Sequence, residues 1–458
     1  MRIIVFALCL LTIVSCSCDC DHEANIVVIG GGLMGSSAAW HLADSGEEVL
    51  LLEQQDSIYS AGSSYGVARI ARSSNSGDDL WSFLHNESVK EVEKLMSFLN
   101  SSTDQTHTMD EVYTTNPVTY VGRASIYERL YTSLVRQDVT YDMASTVEKG
   151  KELFGVTLND SILMQREYNQ YSGTINPKVL IDKLHQAVRN KNSSVWYNHK
   201  VINIRYDGSC YLIEVENTVT GEIKTIGAQK VISAAGPYTG PLLKEVAPYF
   251  EKLINPMRVF LAFIKIKPNL YNTLSTEQKE KISQFYPVIN SSKGTRQGSF
   301  FSMIEYFEDE VPVIKIGGHF QRSEIKNLDE VWKQKLSDEE IEWSLQSTKD
   351  YFDMLNIPIK KQDFEVVNEY SCVYSLTETE VPLITPIINE AGNISQDFVV
   401  MGGMSGVGAK GAMCYGKIAS HYLIDRRLEN YDGYADAINK MGYKRLLKDV
   451  ENMAVNEE

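Results

Sequence analysis

The segment Asn25-Ile-Val-Val-Ile-Gly-Gly-Gly-Leu-Met-Gly35, followed by Leu50-Leu-Leu-Glu53, decides the fold. It predicts an apolar strand, a glycine turn, a helix and a second strand that ends in an acid. In this pattern Gly30 permits the tight turn, Gly32 allows a pyrophosphate to approach the backbone, and Gly35 allows the helix to pack on the strand. The segment is therefore typical of a unit that binds a dinucleotide.

The helix of this unit is expected to begin near Gly32, so that the first N–H groups, including those of Leu33 and Met34, point toward phosphate groups. Glu53 can accept hydrogen bonds from an adenosine ribose. The alternative is a glycine turn that only connects a strand and a helix. The flanking strand, the small residues 36–39 and the terminal acid favour the dinucleotide site.

Composition limits the classes of function. The chain has 458 residues, 43% of them hydrophobic and 23% charged, and its formal net charge is −16 at pH 7. This length predicts two domains and room for a large cofactor. The acidic balance argues against nucleic acid or an anionic membrane as the main partner, because phosphate binding uses clustered Lys and Arg.

The N-terminus has the pattern of a secretory signal peptide over residues 1–20. Arg2 precedes an apolar run at 3–14, and the small and polar stretch Ser15-Cys-Ser-Cys-Asp-Cys20 follows. The run is shorter than the roughly 20 residues of a spanning helix, so a membrane anchor is the weaker interpretation. A further alternative is a lipid anchor at Cys16, because residues 13–16 resemble a bacterial lipoprotein cleavage box.

Glycosylation sequons support secretion. An N-x-S/T triplet begins at Asn86, Asn100, Asn159, Asn192, Asn290 and Asn393. Such triplets suit a secreted eukaryotic glycoprotein. We therefore expect the mature protein in the secretory lumen or outside the cell.

The cysteines do not describe a disulfide scaffold. Of the seven, four lie within the first 20 residues, and Cys210, Cys372 and Cys414 lie in the body of the chain. An odd count in the body suggests a special role for one of them.

Local patterns predict the remaining elements. Asn176 and Pro177 suit the cap and first turn of a helix. Residues 398–411 repeat the order of strand, glycine turn and helix, and predict a second cradle for a phosphate or ring. Strands are expected at 201–206, 211–216, 230–236, 259–267, 298–306 and 311–316, with an amphipathic helix at 338–355. The later strands suit an antiparallel sheet with helices on one side.

Together these segments resemble the sarcosine oxidase and N-methyl amino acid oxidase family of the D-amino-acid oxidase superfamily. The resemblance spans about residues 25–424. It rests on the glycine fingerprint and four further segments in the family's order, which are Gly62-Ser-Ser-Tyr-Gly-Val-Ala-Arg-Ile-Ala-Arg72, Ile314-Lys-Ile-Gly-Gly-His319, Cys372-Val-Tyr374 and Gly403-Met-Ser-Gly-Val-Gly-Ala-Lys410.

The resemblance implies an α/β fold, in which a Rossmann-like FAD-binding domain is interleaved with an α+β substrate domain built on a mainly antiparallel sheet. The expected segments are the signal peptide at 1–20, the FAD domain at 24–106, 166–245 and 371–440, the substrate domain at 107–165 and 246–370, and a tail at 441–458.

The resemblance also implies roles for single residues. Cys372 stands where the family carries FAD through a thioether to the ring's 8α carbon, and the alternative is an inert buried thiol. Lys315 matches the lysine near flavin N5 that promotes the reaction of reduced flavin with dioxygen, because an ammonium stabilises the negative charge of superoxide. His319 and Tyr374 match active-site residues near the substrate.

Arg72 and Lys410 match the pair that binds the substrate carboxylate. Arg69 is expected beside the flavin. No metal is implied. The residues assigned to the cofactor are Gly30, Gly32, Leu33, Met34, Gly35, Glu53, Ser63, Ser64, Arg69, Cys372, Met404, Gly406, Gly408 and Lys410.

The implied activity is an FAD-dependent oxidation of a secondary, N-methyl or cyclic, or a primary amino acid. Hydride passes to flavin N5, and dioxygen reoxidises the flavin to give an imine and hydrogen peroxide. The alternatives are an amino acid dehydrogenase on the same fold that uses another electron acceptor, and a secreted flavin-binding protein without turnover. The expected partners are a small amino acid or amine and O2, with no nucleic acid, and with no membrane unless Cys16 is lipidated.

The chain departs from the family pattern at Tyr65, Tyr238, Gly318 and Met404. These positions carry other side chains in many relatives. Gly318 replaces a bulky aromatic residue, so we expect a larger cavity beside His319.

Overall fold

The computed structural model describes residues 19–57, 59–74, 79–123, 139–389, 391–424, 426–430 and 433–455. The signal-peptide prediction falls almost entirely outside this range. Among the described helices, none combines the length and the apolar character that crossing a membrane requires.

The described strands form three sheets. In chain order they are β1 (His22–Ile29), β2 (Val49–Leu52), β3 (Arg69–Ala71), β4 (Tyr113–Thr115), β5 (Val118–Arg123), β6 (Tyr141–Ala144), β7 (Ile162–Glu167), β8 (Gly173–Ile175), β9 (Ser194–Trp196), β10 (His199–Tyr206), β11 (Tyr211–Asn217), β12 (Ile223–Ser233), β13 (Asn255–Ile266), β14 (Val288–Asn290), β15 (Phe300–Glu308), β16 (Val311–Gly318), β17 (Ser323–Glu324), β18 (Phe364–Leu376), β19 (Leu383–Ile388) and β20 (Ile394–Gly402).

The helices cover these sheets. In chain order the described α-helices are α1 (Leu33–Asp44), α2 (Asp79–Ser102), α3 (Val147–Phe154), α4 (Pro177–Asn190), α5 (Thr239–Leu242), α6 (Phe250–Leu253), α7 (Pro268–Tyr271), α8 (Thr276–Gln284), α9 (Leu328–Val331), α10 (Asp338–Met354), α11 (Ala412–Ile424), α12 (Tyr434–Met441) and α13 (Tyr443–Val455). Short 3₁₀ turns lie at Met109–Glu111, Gly236–Tyr238, Lys361–Asp363, Ala409–Gly411 and Arg426–Asn430.

The first sheet contains the predicted dinucleotide unit. β1 runs parallel to β2 and β12, and β12 runs parallel to β20. Both faces of β1 are buried, because Ile26 and Val28 pack into one core and Val27 and Ile29 pack into another. Burial on both faces explains the continuous apolar run that the sequence shows here. α1 begins directly after the glycine turn and packs against α4 and α11.

The second sheet has the order β17-β13-β16-β15-β14-β5-β7-β6, with β18 on the other side of β13. Its pairs are antiparallel except for β5 and β14, which run parallel, so the prediction of a mainly antiparallel sheet is confirmed. α10 covers one face, where Tyr351 and Phe352 pack with Phe260 and Ala262. The other face borders a large cavity and packs against Trp332, which follows α9.

The cap predicted for α4 is confirmed, since the Asn176 side chain accepts from the Val179 N–H and Pro177 is the first helical residue. The strands and the helix predicted from 201 onward are also confirmed. Most bounds differ by up to four residues, but β12 begins seven residues before the predicted start at 230. The domain boundaries stay predictions. The predicted boundaries between residues 165 and 166 and between residues 370 and 371 fall inside the strands β7 and β18.

Three observations concern the N-terminus, the cysteines and the sequons. Asp21 is already hydrogen-bonded to the folded chain, because its backbone N–H donates to the Thr225 carbonyl. Cys210 is disulfide-bonded, whereas Cys20, Cys372 and Cys414 are free thiols. Among the sequons, Asn290 is buried and its Oδ1 accepts from the Ser292 N–H and hydroxyl, so this site is not accessible in the folded chain.

The contact between α1 and the glycine turn predicts the effect of a single methyl group. A Cβ added at Gly35 would lie 1.9 Å from the Gly30 carbonyl oxygen. We expect Gly35→Ala to lower the free energy of unfolding by about 1–3 kcal/mol, because the helix must move off the strand. Bound flavin should be lost in parallel. Chemical denaturation and the ratio of visible to ultraviolet absorbance measure the two effects.

The matched control is Gly46→Asn. Gly46 follows α1, has a positive φ of 92° that asparagine tolerates, and has no atom within 4 Å of an added Cβ. Its stability should stay within about 0.5 kcal/mol of the parent protein. Equal behaviour of the two variants would contradict the close approach of helix and strand.

Candidate active site

A cavity of about 1010 Å³ lies between the carboxyl end of β1 and the open face of the second sheet. This volume is at the upper end of the range for ligand pockets, about 300–1,000 Å³. Of the predicted site residues, Gly35 lies outside the lining because it packs inside the helix contact. The predicted residues that line the cavity are Gly30, Gly32, Leu33, Met34, Glu53, Ser63, Ser64, Arg69, Arg72, Lys315, His319, Cys372, Tyr374, Met404, Gly406, Gly408 and Lys410.

The glycine turn forms one end of the cavity. The Gly31 N–H donates to Glu53 Oε2 at 2.7 Å, and burial raises the pKa of Glu53. A Cβ added at Gly30 would lie 2.6 Å from the Ala234 carbonyl oxygen. The Leu33 N–H at the start of α1 donates to Ser64 Oγ at 3.2 Å. These close contacts, together with the positive end of the helix, fit the phosphate groups of a dinucleotide.

Strand register places the predicted catalytic residues on one face of the second sheet. β13 pairs with β16, where Phe263 is opposite Lys315, and with β18, where Val259 is opposite Cys372. Alternate residues of a strand share a face, and directly opposite residues do too. Lys315 and Cys372 therefore lie on the same face, which carries Tyr374 as well.

Cys372 is buried in the wall of the cavity. Burial raises the pKa of its thiol, while the charges of Arg69 and Lys315 act in the opposite direction. Ser63 lies beside it and donates to the Val373 carbonyl at 3.0 Å. The thiol thus lies at the cavity wall and also belongs to the apolar cluster that contains Val259 and Tyr370.

Arg69 is fixed by three carbonyl groups of its own loop. Its guanidinium donates to the Ala68 carbonyl at 2.9 Å, to the Ser63 carbonyl at 3.0 Å and to the Tyr65 carbonyl. These bonds hold one positive charge at the cavity wall.

Lys315 is a fully buried cation with an acidic partner that the sequence did not predict. Its Nζ lies 2.5 Å from Glu305 Oε2 and donates to the Ala68 carbonyl. Burial, followed by the charge of Arg69, lowers the pKa of Lys315 to about 7, while Glu305 raises it. Glu305 is visible in the sequence only as an acid within a mostly apolar strand, which gives no indication of its partner.

His319 is held in one tautomer by Arg322. Nη2 of Arg322 contacts Nδ1 of His319. Arginine has donors only, so Nδ1 accepts this bond and the proton of the neutral ring resides on Nε2. Burial, then the charges of Arg322 and Arg296, lowers the pKa of His319 to about 4. His319 is therefore a neutral hydrogen-bond donor at physiological pH.

Tyr374 completes this corner of the cavity. Its ring lies 5.4 Å from the Arg322 guanidinium carbon, and burial raises the pKa of its hydroxyl to about 12. Gly406 packs against it, since an added Cβ would lie 2.8 Å from the tyrosine Cζ. The second glycine turn thus reaches the open face of the second sheet.

Arg72 and Lys410 both line the cavity and lie close enough for their charges to interact. Arg72 Nη1 donates to the Tyr120 hydroxyl at 3.1 Å, and Lys410 Nζ lies 5.7 Å from the Trp81 ring centre. Burial, then the charge of Arg72, lowers the pKa of Lys410 well below its usual value. Two close, poorly solvated cations form a site for an anion such as a carboxylate.

Glu167 provides the counter-charge behind this pair. Its carboxylate is buried and accepts from the Ser73 N–H at 2.8 Å and the Ser172 hydroxyl at 2.5 Å. It also attracts the charge of Lys410. Sequence reasoning missed Glu167 because the contact spans distant parts of the chain.

The expectation that Gly318 enlarges the cavity is wrong. Gly318 alternates with the lining residues Lys315 and His319 and points to the other face of β16. A Cβ added there would lie 2.6 Å from the Ser299 carbonyl oxygen and 3.0 Å from Trp343. The Trp343 ring therefore occupies the space that a larger residue at this position would need.

The other departures from the family pattern lie at different distances from the cavity. Tyr65 stacks on Tyr370 at 4.4 Å between ring centres, outside the cavity lining. Tyr238 and Met404 do line it. Within the described parts of the chain, no group of three or more His, Cys, Asp or Glu is placed to hold a metal ion.

A comparison with known protein families agrees with this fold and site. The model of the FAD dependent oxidoreductase family matches residues 25–422. The chain belongs to this family. It is therefore an FAD-dependent oxidoreductase, and the nucleotide expected at the glycine turn is that of FAD.

Named relatives lie in the same superfamily. A probable sarcosine oxidase of Arabidopsis thaliana is 25% identical over 88% of this chain and 89% of its own length. The peroxisomal sarcosine oxidase of Mus musculus is 24% identical over 58% of this chain and 61% of its own length.

Solved structures share the fold at low identity. NikD, an unusual amino acid oxidase of nikkomycin biosynthesis, superposes with a TM-score of 0.66 at 17% identity, over 88% of this chain and 95% of its own. L-proline dehydrogenase from P. horikoshii gives a TM-score of 0.65 at 15% identity, over 92% of this chain and 99% of its own.

Proposed function

We propose that the protein is a secreted oxidase of a secondary amino acid, either N-methylated or cyclic, or of a primary amino acid, and that it carries FAD on Cys372 and uses dioxygen. One observation carries the proposal. The buried cation Lys315 and the buried thiol Cys372 share a sheet face, and the cationic pair Arg72 and Lys410 lines the same cavity. The names of the relatives, which include sarcosine oxidases and amino acid oxidases, support the substrate class.

The glycine turns, Glu53, Ser64 and Arg69 would hold the cofactor. The Cys372 thiol would attach the ring through a thioether to its 8α carbon; this replaces an S–H and a C–H bond, and the flavin itself would accept the two electrons, which dioxygen then removes. When bound, FAD supplies the acceptor for a hydride from the carbon next to the substrate nitrogen. Arg72 and Lys410 bind the substrate carboxylate and so orient this carbon.

His319 and Lys315 act at other points of the pocket. Neutral His319 donates a hydrogen bond from Nε2 to an acceptor atom of the substrate, and does not take its amine proton at neutral pH. Lys315 places an ammonium where negative charge develops on dioxygen, in a site without bulk water.

The carboxylate site predicts a specific kinetic change. We expect Arg72→Gln and Lys410→Gln each to raise KM for an N-methyl or cyclic amino acid about 10- to 100-fold, the loss typical of a hydrogen bond to a charged group. Substrate analogues without a carboxylate should be poor substrates of every form. A coupled peroxide assay measures the effect.

The matched control is Arg205→Gln, because Arg205 is exposed on β10. Its KM should equal that of the parent protein. Unchanged KM in both cavity variants would contradict the carboxylate site. Flavin bleaching by substrate under nitrogen without peroxide formation in air would instead indicate the dehydrogenase, and no bleaching would indicate a flavin-binding protein without turnover.

Covalent attachment predicts that colour follows the polypeptide. After precipitation in acid, the parent protein should stay yellow and Cys372→Ser should give a colourless pellet. Cys414→Ser is the control, because Cys414 is a second buried free thiol, on α11. Release of all flavin from the parent protein into the acid supernatant would contradict attachment.

Secretion is supported by the leader pattern and by the exposed sequons. Expression in a eukaryotic cell should deliver a protein to the medium that lacks the leader and loses mass on treatment with an N-glycosidase. Asn290→Gln should leave the glycan mass unchanged, because the Asn290 side chain is buried. An intracellular product with an intact leader would contradict the proposal.

A further inference from the structure

A buried ion pair occupies the centre of the open face of the second sheet. The Nζ of Lys315 and Oε2 of Glu305 lie 2.5 Å apart, and the side chains are only 1% and 2% exposed. Charges this deeply buried are costly unless they are paired and hydrogen-bonded. The position of the acid therefore decides where, and in which protonation state, the lysine can exist.

A β-bulge directs Glu305 to this position. In the pairing of β15 with β16, Met303 is opposite Lys315 and Ile304 is opposite Ile314, but the next pair is Tyr306 with Val313. Glu305 is thus an extra residue without a cross-strand partner. Bulges of this kind redirect a side chain and are common next to active sites.

The second oxygen of the carboxylate binds the loop that carries Arg69. Oε1 of Glu305 accepts from the Val67 N–H at 2.7 Å. The approach depends on Gly66, where φ is +95° and an added Cβ would lie 2.6 Å from this oxygen. Lys315 itself donates to the Ala68 carbonyl of the same loop. Glu305 therefore connects the lysine, the bulged strand and the loop.

We propose that Glu305 is the positioning residue for Lys315, and that its carboxylate holds the amine at one point of the cavity wall and favours its charged form. The inference rests on the proposed function of Lys315 in the reaction with dioxygen. Without the carboxylate, the lysine retains the Ala68 carbonyl as its only hydrogen-bond partner among the described residues and loses its counter-charge. Glu305 thus acts on the reaction through Lys315 and itself contacts neither the substrate nor oxygen.

The surroundings of Lys315 set the direction of the effect. The titratable groups around it are Arg69 from β3, Glu305 from β15 and Cys372 from β18. Burial and Arg69 lower the pKa of Lys315 to about 7, whereas Glu305 and Cys372 raise it. Removal of the Glu305 charge is therefore expected to lower this pKa further and to reduce the fraction of protonated amine at physiological pH.

The test is a titration of Lys315 in the purified flavoprotein, followed by the side-chain ¹³Cε signal and assigned with Lys315→Met. Glu305→Gln should lower the midpoint by at least about one pH unit, which corresponds to about tenfold less ammonium at pH 8. The rate of flavin reoxidation by oxygen at pH 8 should fall by a similar factor. Anaerobic reduction by substrate should change little.

Two variants serve as controls. Glu305→Asp retains the charge and should give a Lys315 titration midpoint close to that of the parent protein. Glu308→Gln removes an acid from the same hairpin that pairs with Lys265 instead, and should leave Lys315 unchanged. If the glutamine variant does not fold, the coupling is tested in the parent protein instead. There the ¹³Cδ signal of Glu305 should shift at the same pH as the titration midpoint of Lys315.

The outcomes separate the two proposals. An unchanged Lys315 midpoint in Glu305→Gln, or independent titrations of the two groups in the parent protein, would overturn the role of Glu305. Reoxidation of Lys315→Met at the parent rate would instead overturn the proposed role of Lys315 in the reaction with oxygen. A moved midpoint would then still establish the coupling between the acid and the lysine.

Discussion

The site depends on the register of β13 between its two neighbours. One partner strand carries Lys315 opposite Phe263, and the other carries Cys372 opposite Val259. Because side chains alternate along a strand, a slip of one residue in either pairing would turn one of these groups to the opposite face, against α10. The apolar residues that share their face, such as Leu261 and Val313, fix the register by their burial. Packing in the second sheet thus positions Lys315 and Cys372 beside the dinucleotide unit.

Buried charge is the second constraint. The cavity wall contains Lys315, Arg69, Arg72 and Lys410, and each loses hydration there. Arg69 uses carbonyl groups, Arg72 uses a tyrosine hydroxyl, and Lys315 has a carboxylate partner. The charge of Lys410 is the least balanced by protein groups, which suits a residue whose partner is the substrate carboxylate. The chain thus keeps cations in a dry pocket by giving most of them fixed partners.

The sequence predicted the local elements well, because glycine turns, apolar runs and caps act over a few residues. Gly30, Asn176 and the second glycine turn are examples. Through the resemblance it also named the residues that line the cavity. It did not predict Glu305, because a β-bulge and a contact between strands determine its direction. It was wrong about Gly318, since strand alternation directs this residue to Trp343 and away from the cavity.

The central claim is that a flavin lies on the face shared by Lys315 and Cys372, in the cavity that Arg72 and Lys410 also line. The most direct measurement is a crystal structure of the protein purified with its yellow colour and soaked with a carboxylate inhibitor. The account predicts continuous density between the Cys372 sulfur and the ring, with the inhibitor carboxylate on Arg72 and Lys410. A ring bound elsewhere, or an inhibitor that leaves both cations without contact, would contradict it.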